Sequence, residues 1–480
     1  MSARVGRFLA VDLGATSGRV MSAEVGPGTL RMSAVHRFPN EPVYLWNGGR
    51  TAMHWDLPAL FAQVCAGLAA ASRDGGAVTS AGVDSWAVDY GLLRGGTLLG
   101  LPYHYRDDRC ARGADVVHAA MDQSEVFARN GLQFLAFNTM FQLAADGLLD
   151  VADAALLVPD LVGYWLTGRL GTERTNASTT GLLGVDGRWD TALESAIGVP
   201  AGLFPALAEP GDDLGGVLPD LAVRTGIATD LRVTTVASHD TASAVVAVPM
   251  AAESAAYVSC GTWALVGVEL ERHVLTAQAE SANFTNEVGA DGRIRFLRNV
   301  MGLWLLSESV RHWERDGPRV DLEDLLERAA ACPPPAAVFD ADDPRFVAPG
   351  DVPERIRGWY AERGLPAPRE RVETTRAIVE SLAAGFARGV TQAAELSGVP
   401  VATVHLVGGG ARNRLLCQLV ADRLGMPVVA GPVEATAVGN VLVQARAHGV
   451  LHGDVDALRG TMASALPTER YAPRVTARRT

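Results

Sequence analysis

Lysine is absent from this chain, and all 42 of its basic residues are arginine. A GxxxxGK[ST] phosphate loop, a protein-kinase nucleotide site with its strand lysine and Schiff-base chemistry each need that amine, so all three are excluded. With abundant alanine, glycine and valine, the bias reads as GC-rich coding. Cysteine is scarce: Cys65, Cys110, Cys260, Cys332 and Cys417 are odd in number, far apart and never in CxxC spacing. Neither a disulfide framework nor a zinc site is suggested, and a cytoplasmic location is expected. No uninterrupted apolar run reaches the roughly 18 residues a membrane span needs. Near the N-terminus Arg4 and Arg7 precede an apolar run that Asp12 interrupts after residues 8–11, too short for a signal sequence. Asn176 and Asn283 stand in N-x-[ST] triplets, which carry no message in a cytoplasmic chain. Positive charge is also in deficit: the formal net charge is −12 and the pI about 5.4, unsuited to nucleic acid as a main partner.

What the chain does have is apolar material, 48% of 480 residues with 20% charged, enough for large cores and for two or more domains. Residues 8–13 read as a strand, 14–18 as a glycine-containing turn, and 19–25 and 30–38 as further strands. Leu57, Leu60, Phe61, Val64 and Leu68 recur at helical spacing, which predicts a helix over 57–71. A strand is expected over 81–93, carrying Asp84 and Asp89. Strand, glycine turn and strand return at 257–269, which suggests a duplicated domain with its boundary near Pro249, dividing the chain into 1–248 and 249–480. A helix over 375–397 stops at Gly398 and Pro400. A strand over 401–407 then runs into Gly408, Gly409 and Gly410, with a helix over 413–424 behind it. The Pro-, Asp- and Arg-rich stretch 333–368 reads as loop and surface excursion.

Three constellations carry chemistry. In the first turn, small residues and hydroxyls at Ala15, Thr16, Ser17, Gly18 and Arg19 let backbone N–H groups face a phosphate, and Asp12 at the strand end can hold Mg²⁺ through water. An ordinary hairpin fits the same residues. The triple glycine 408–410 brings backbone close to a ligand and opens a helix, as a plain strand-to-helix turn would also do; its spacing is not that of a dinucleotide fold. Third, Ser238, His239, Asp240, Thr241 and Ser243 interrupt the apolar stretch 233–248. A carboxylate buried there is costly unless partnered, which makes Asp240 a candidate general base, or equally a helix cap. Adjacent Ser238, His239 and Asp240 cannot form a hydrolase triad, and no G-x-S-x-G elbow exists. His448 and His452 lack a third metal ligand nearby, and Trp304, Val310 and Trp313 read as core.

Taken together, the wording resembles the FGGY family of carbohydrate kinases over residues 8–447: VDLGATSGRV from Val11, GVDSWAVDYGLL from Gly82, YRDDR from Tyr105, FNTMFQL from Phe137, ASHDTASAV from Ala237, SCGTWALVGVE from Ser259, then NFTNEVG and RNVMGLWLL. Within the family it is closest to the kinases of L-rhamnulose. The resemblance implies an α/β fold of duplicated actin- and hexokinase-like (ribonuclease H-like) domains with a cleft between them, the first binding sugar and phosphate and the second nucleotide. It implies ATP and Mg²⁺ as cofactors and a small ketose as substrate. Asp240 matches the family's catalytic base, and Ala87, His239, Thr241 and Asn299 match positions at the sugar. Residues 15–19, Thr262, Ser307 and Gly408 to Gly410 match nucleotide positions. Two departures stand out: Trp86-Ala87-Val88-Asp89 where relatives have WGVD, and Ser307 where relatives often carry glutamine.

The implied reaction is transfer of the γ-phosphoryl group of ATP to a primary hydroxyl of L-rhamnulose, giving L-rhamnulose 1-phosphate. Rival readings are a kinase for fuculose, xylulose or ribulose, or an actin-like or chaperone-like ATPase on the same fold. A sugar-responsive regulator is not expected, because the first strand begins by residue 8 and leaves no room before it for a DNA-binding helix pair.

Overall fold

A computed structural model of the chain describes residues 5–315 and 317–474. Arg4 and the ends of the two expected domain spans lie outside the described residues. By contact the chain divides into two compact units, Met1–Pro249 with Leu270–Arg295 and Ala435–Leu466, and Met250–Glu269 with Phe296–Glu434 and Pro467–Thr480. A cut at 248/249 is therefore crossed by two segments that pack with the first unit.

The first unit is built on β1 (Gly6–Leu13), β2 (Ser17–Gly26), β3 (Thr29–Pro39), β4 (Ser80–Ser85), β5 (Asp213–Gly216) and β6 (Arg232–Thr234). Their order is β5-β6-β4-β1-β2-β3. β1 pairs antiparallel with β2 and parallel with β4. Phe8, Leu9, Ala10 and Val11 are fully buried on it, as a central strand covered on both faces requires. Helix α1 (Leu57–Arg73) starts where the Asp56 side chain accepts from the Ala59 N–H and buries Leu57, Leu60, Val64 and Leu68. Helix α2 (Asp240–Val246) packs against Ala435–Ala447, where a Cβ on Gly439 would lie 1.7 Å from the Ser243 carbonyl oxygen. Only glycine permits that approach.

The second unit repeats the plan with β7 (Ala255–Cys260), β8 (Trp263–Leu270), β9 (Ile294–Met301), β10 (Thr403–Val407) and β11 (Val428–Ala430), in the order β9-β8-β7-β10-β11. Here too the first strand pairs antiparallel with the second and parallel with the fourth. In both sheets the third, second, first and fourth strands lie in that order and one further parallel strand follows, β6 in the first and β11 in the second, which is the duplicated α/β architecture expected from the sequence. Helix α3 (Arg371–Ser397) ends at Gly398 in the left-handed conformation (φ 76°). Among the described residues no helix is long and apolar enough to cross a membrane.

Three expectations need correction. The strand expected over 81–93 is two strands in different sheets, β4 and Tyr90–Arg94. Between them the Asp89 N–H donates to the Ala87 carbonyl (2.9 Å), a γ-turn centred on Val88 with φ 69°. A β-branched residue holds that geometry only under constraint. Thr139 Oγ1 supplies it, donating to the Val88 carbonyl at 2.7 Å. Helix α3 begins four residues before position 375 because Glu370 and Glu373 form a reciprocal capping box. The stretch 333–368 is not a bare loop: it contains the helix Val352–Ala361 and buries Phe339, Phe346, Ile356 and Tyr360.

Candidate functional site

In the first unit, strand ends gather the acidic residues. Asp12 lies near the end of β1, opposite Arg19 on β2 and level with Asp84 on β4. Arg19 donates to Asp12 Oδ2 through Nε (2.9 Å) and Nη2 (2.6 Å). Asp84 is fully buried and accepts from Asn440 Nδ2 at 2.6 Å, while Gln444 holds Asn440 through its amide oxygen. Burial, and then the charge of Asp12, hold the Asp84 carboxyl well above the ordinary carboxylate range. The turn above Asp12 closes with the Gly14 N–H donating to the Ser17 carbonyl, and Thr16 and Ser17 are exposed there. Gly18 has a different reason for being glycine: a Cβ would run into the Phe38 ring.

Beside β4 runs the segment that carries Asp240. The Ser85 N–H donates to the Ser238 carbonyl at 2.9 Å, which sets His239 next to the end of β4. Glu173 anchors this segment from below: its carboxylate accepts from the N–H and Oγ of Ser238 (3.0 and 2.8 Å) and from the N–H and Oγ of Thr175. Asp240 opens helix α2 with its side chain 32% exposed. Burial raises its pKa above the usual value, the neighbouring His239 pulls it back, and Asp12 adds to the rise. Thr241 Oγ1 donates to Asp240 Oδ1 at 3.2 Å.

Ala87 sits half-buried at the strained turn, next to an aromatic cluster in which Trp55 packs on Trp86 (4.1 Å between centroids) and stacks on His104 (4.0 Å). Both indole N–H groups and the Tyr105 N–H donate to Asp89 Oδ2, and Gln142 Nε2 donates to Oδ1. Burial nevertheless lifts the Asp89 pKa to about 6. Burial and the Arg106 guanidinium push His104 down to about 3, so that ring is neutral.

The second unit gathers the neutral, backbone-rich residues. Thr262 lies in the turn after β7, whose Gly261 N–H donates to the Trp263 carbonyl. The Leu303 and Trp304 N–H groups donate to the Gly261 and Thr262 carbonyls, which brings in the helix Trp304–Arg315. Gly408 has φ 80°, and a Cβ there would lie 2.9 Å from the Cys260 carbonyl oxygen. A Cβ on Gly410 would meet Cys260 Sγ at 2.5 Å. The three glycines therefore lie against the same turn, followed by Asn413, which accepts from the Leu416 N–H as the cap of Arg414–Leu424. Ser307 is exposed on its helix and Asn299 half-buried on β9.

Each unit thus brings together several of the expected residues: Asp12 to Arg19 with Ala87 and His239 to Thr241 in the first, Thr262 with Ser307 and 408–410 in the second. Sequence reasoning missed Glu173, Glu287 and Arg295, which reach the Asp240 segment from elsewhere in the chain, and nothing local marks them. Asn440 and Gln444, four residues apart on an otherwise apolar helix, were a readable signal. The five cysteines are free, and among the described residues no group of three or more His, Cys, Asp or Glu side chains is placed to hold a metal. His448 is engaged with Thr234, at 2.9 Å.

Models of the FGGY family of carbohydrate kinases match the chain twice, the N-terminal domain over residues 8–247 and the C-terminal domain over 256–448. The chain is 38% identical over 473 residues to a rhamnulokinase of Bacteroides thetaiotaomicron, covering 97% of this chain and 96% of the relative. It is 41% identical over 480 residues to a rhamnulokinase of Pectobacterium carotovorum subsp. carotovorum, covering 98% and 94%. Among solved structures, gluconate kinase from Lactobacillus acidophilus has a TM-score of 0.76 at 16% identity, covering 98% of this chain and 94% of that one.

Proposed function

We propose that this chain phosphorylates L-rhamnulose from ATP; it belongs to the FGGY family of carbohydrate kinases, and its curated relatives at about 40% identity are rhamnulokinases. The observation that carries the mechanism is Asp240, a carboxylate at the mouth of a helix, reachable from solvent and tied to His239. The primary hydroxyl of the ketose gives its proton to Asp240 while its oxygen forms a bond to the γ-phosphorus. The bond from that phosphorus to the bridging oxygen breaks, and ADP and L-rhamnulose 1-phosphate are formed. Such a reaction asks the protein for positioning and charge rather than covalent chemistry.

Sugar and phosphate binding falls to the N-terminal domain, residues 1–248, with Ala87, His239 and Thr241 at the sugar and the turn 15–19 at phosphate. Nucleotide binding falls to the C-terminal domain, residues 249–480, with Thr262, Ser307 and Gly408 to Gly410, while Asn299 serves the sugar. Backbone N–H groups in the glycine turns suit phosphate oxygens. Asp12, a carboxylate at a strand end whose Oδ2 is paired with Arg19, would hold Mg²⁺ through water. An ion held there would neutralise phosphate charge. ATP as co-substrate and five free thiols support a cytoplasmic enzyme.

The test is ADP release measured on a panel of L-rhamnulose, L-fuculose, D-xylulose and L-ribulose. L-rhamnulose is expected to have the highest kcat/KM, with residual activity on the others because one methyl or hydroxyl contact discriminates by only about 1–3 kcal/mol. A tenfold preference for another ketose overturns the sugar assignment. An ATPase rate indifferent to sugars overturns the kinase reading.

A further inference from the structure

His239 is buried, and a different group faces each of its ring nitrogens. Nε2 lies 3.4 Å from Asp240 Oδ1. Nδ1 lies 3.0 Å from Nη2 of Arg295 and 3.4 Å from Oε2 of Glu287. A guanidinium only donates, so at 3.0 Å from Arg295 the Nδ1 atom is the acceptor. A neutral imidazole that accepts at Nδ1 carries its proton on Nε2, the nitrogen that faces the base.

Arg295 is built in for this contact. Its side chain is 0% exposed, and Nε and Nη2 both donate to the Val288 carbonyl, at 3.2 and 3.1 Å. Nη2 also lies 3.1 Å from Glu287 Oε2. A buried guanidinium is costly unless its charge is answered; here Glu287 answers the charge and the Val288 carbonyl takes hydrogens from Nε and Nη2, while Nη1 has no hydrogen-bond partner among the described residues. Glu287 is meanwhile an alternative acceptor for an Nδ1–H. With Arg295 in place that alternative is closed; without it, the proton can move to Nδ1 and leave Nε2 with a lone pair facing the Asp240 carboxylate.

We propose that Arg295 is a positioning residue that fixes His239 as an Nε2–H donor. In that state the imidazole orients the Asp240 carboxylate and presents an N–H to a ketose hydroxyl. The kinetic half of this inference rests on the kinase reading above, while the protonation half does not.

The test is ¹H–¹⁵N correlation through the imidazole rings of the ¹⁵N-histidine-labelled, ligand-free protein, with the His239 signals assigned by their loss in His239→Gln. The parent is expected to show His239 protonated on Nε2 alone. In Arg295→Met the pattern is expected to move to Nδ1 or to the doubly protonated ring, with the ketose KM up about tenfold and the ATP KM within twofold. Arg295→Lys keeps a donor without a lone pair, and should restore the parental pattern and most of the ketose KM. If Arg295→Met does not fold, Arg295→Gln decides the matter, because its amide oxygen can accept an Nδ1–H that a guanidinium cannot, and the pattern should again move to Nδ1 or to the doubly protonated ring. An Nδ1-protonated His239 in the parent overturns the proposal, as does an unchanged pattern and ketose KM in a folded Arg295→Met. A parent that shows the Nε2–H pattern yet phosphorylates no ketose overturns the kinase reading and leaves the protonation assignment standing.

Discussion

Replacing Gly410 by alanine puts one methyl group into a tight spot of the second unit. The new Cβ would lie 2.5 Å from Cys260 Sγ and 2.6 Å from Cys260 Cβ, against an ordinary contact of about 3.5–4.0 Å. Turning the thiol away relieves only the first overlap, because the Cys260 Cβ belongs to a fully buried strand end. The loop must therefore move, at a cost of about 1–3 kcal/mol for an overpacked core site. Movement of that loop displaces the backbone that the proposed reading sets against the nucleotide. The expected result is a lower melting temperature and an ATP KM raised at least fivefold, with the ketose KM within twofold. Cys260→Gly removes both clashing atoms, and the double variant should recover part of each loss, with a coupling of about 0.5–3 kcal/mol in a four-cornered cycle of melts and ATP titrations. Strict additivity of the two substitutions, or an unaltered ATP KM in Gly410→Ala, would refute this packing argument.

Two other substitutions follow from the first unit. Helix α2 is capped at His239 without a side-chain cap bond, and Asp240→Asn keeps the size and an oxygen to accept from Thr241, so its melt should match the parent and both ligands should bind, while kcat measured by ADP release falls about 10²–10⁴-fold; turnover within a few fold of the parent would mean that Asp240 is not the base. Asp89 is buried and its pKa is raised to about 6 from 3.8. Between those values the unfolded chain loses this proton while the folded chain keeps it, so the contribution of Asp89 to stability is full below about pH 4 and is lost, by about 3 kcal/mol, as pH rises to about 6. In urea unfolding at pH 4, 5, 6 and 7, that fall should be missing from Asp89→Asn relative to the parent, and parallel curves would rule it out.

The parts of this fold that were legible in the sequence are those whose cause is local. The strand and turn at 8–18, its repeat at 257–269 and the stop of α3 at Gly398 each depend on neighbours in the chain, and each stands where expected. The break between β4 and Tyr90–Arg94 was not legible. Its residues read as one apolar strand, and the turn at Val88 is held by Thr139 and by the anchoring of Asp89, whose partners Trp55, Tyr105 and Gln142 lie 34, 16 and 53 positions away. The same holds for the site. Asp240 could be singled out because a carboxylate in an apolar run is conspicuous. Arg295 could not, because in a chain with only arginine for its basic residues another arginine carries no signal until its burial is known.

The duplication explains why two glycine turns exist, and the charge around them explains why they need not do the same work. In the first unit the turn at 14–17 stands over Asp12 and its ion pair with Arg19, with Asp84 alongside. In the second, the strand end that corresponds to Asp12 carries Ser259 and Cys260, paired with Leu265 and Ala264, and the neighbouring loop is three glycines. A polyphosphate near the first turn meets carboxylates and is repelled unless a cation intervenes. Near the second it meets backbone N–H groups, and the strand end beside them carries no carboxylate. One scaffold used twice therefore provides a neutral, N–H-rich cradle once and an acidic strand end once. That inequality, more than the fold, supports assigning nucleotide contacts to the second unit and metal and proton acceptance to Asp12 and Asp240 in the first.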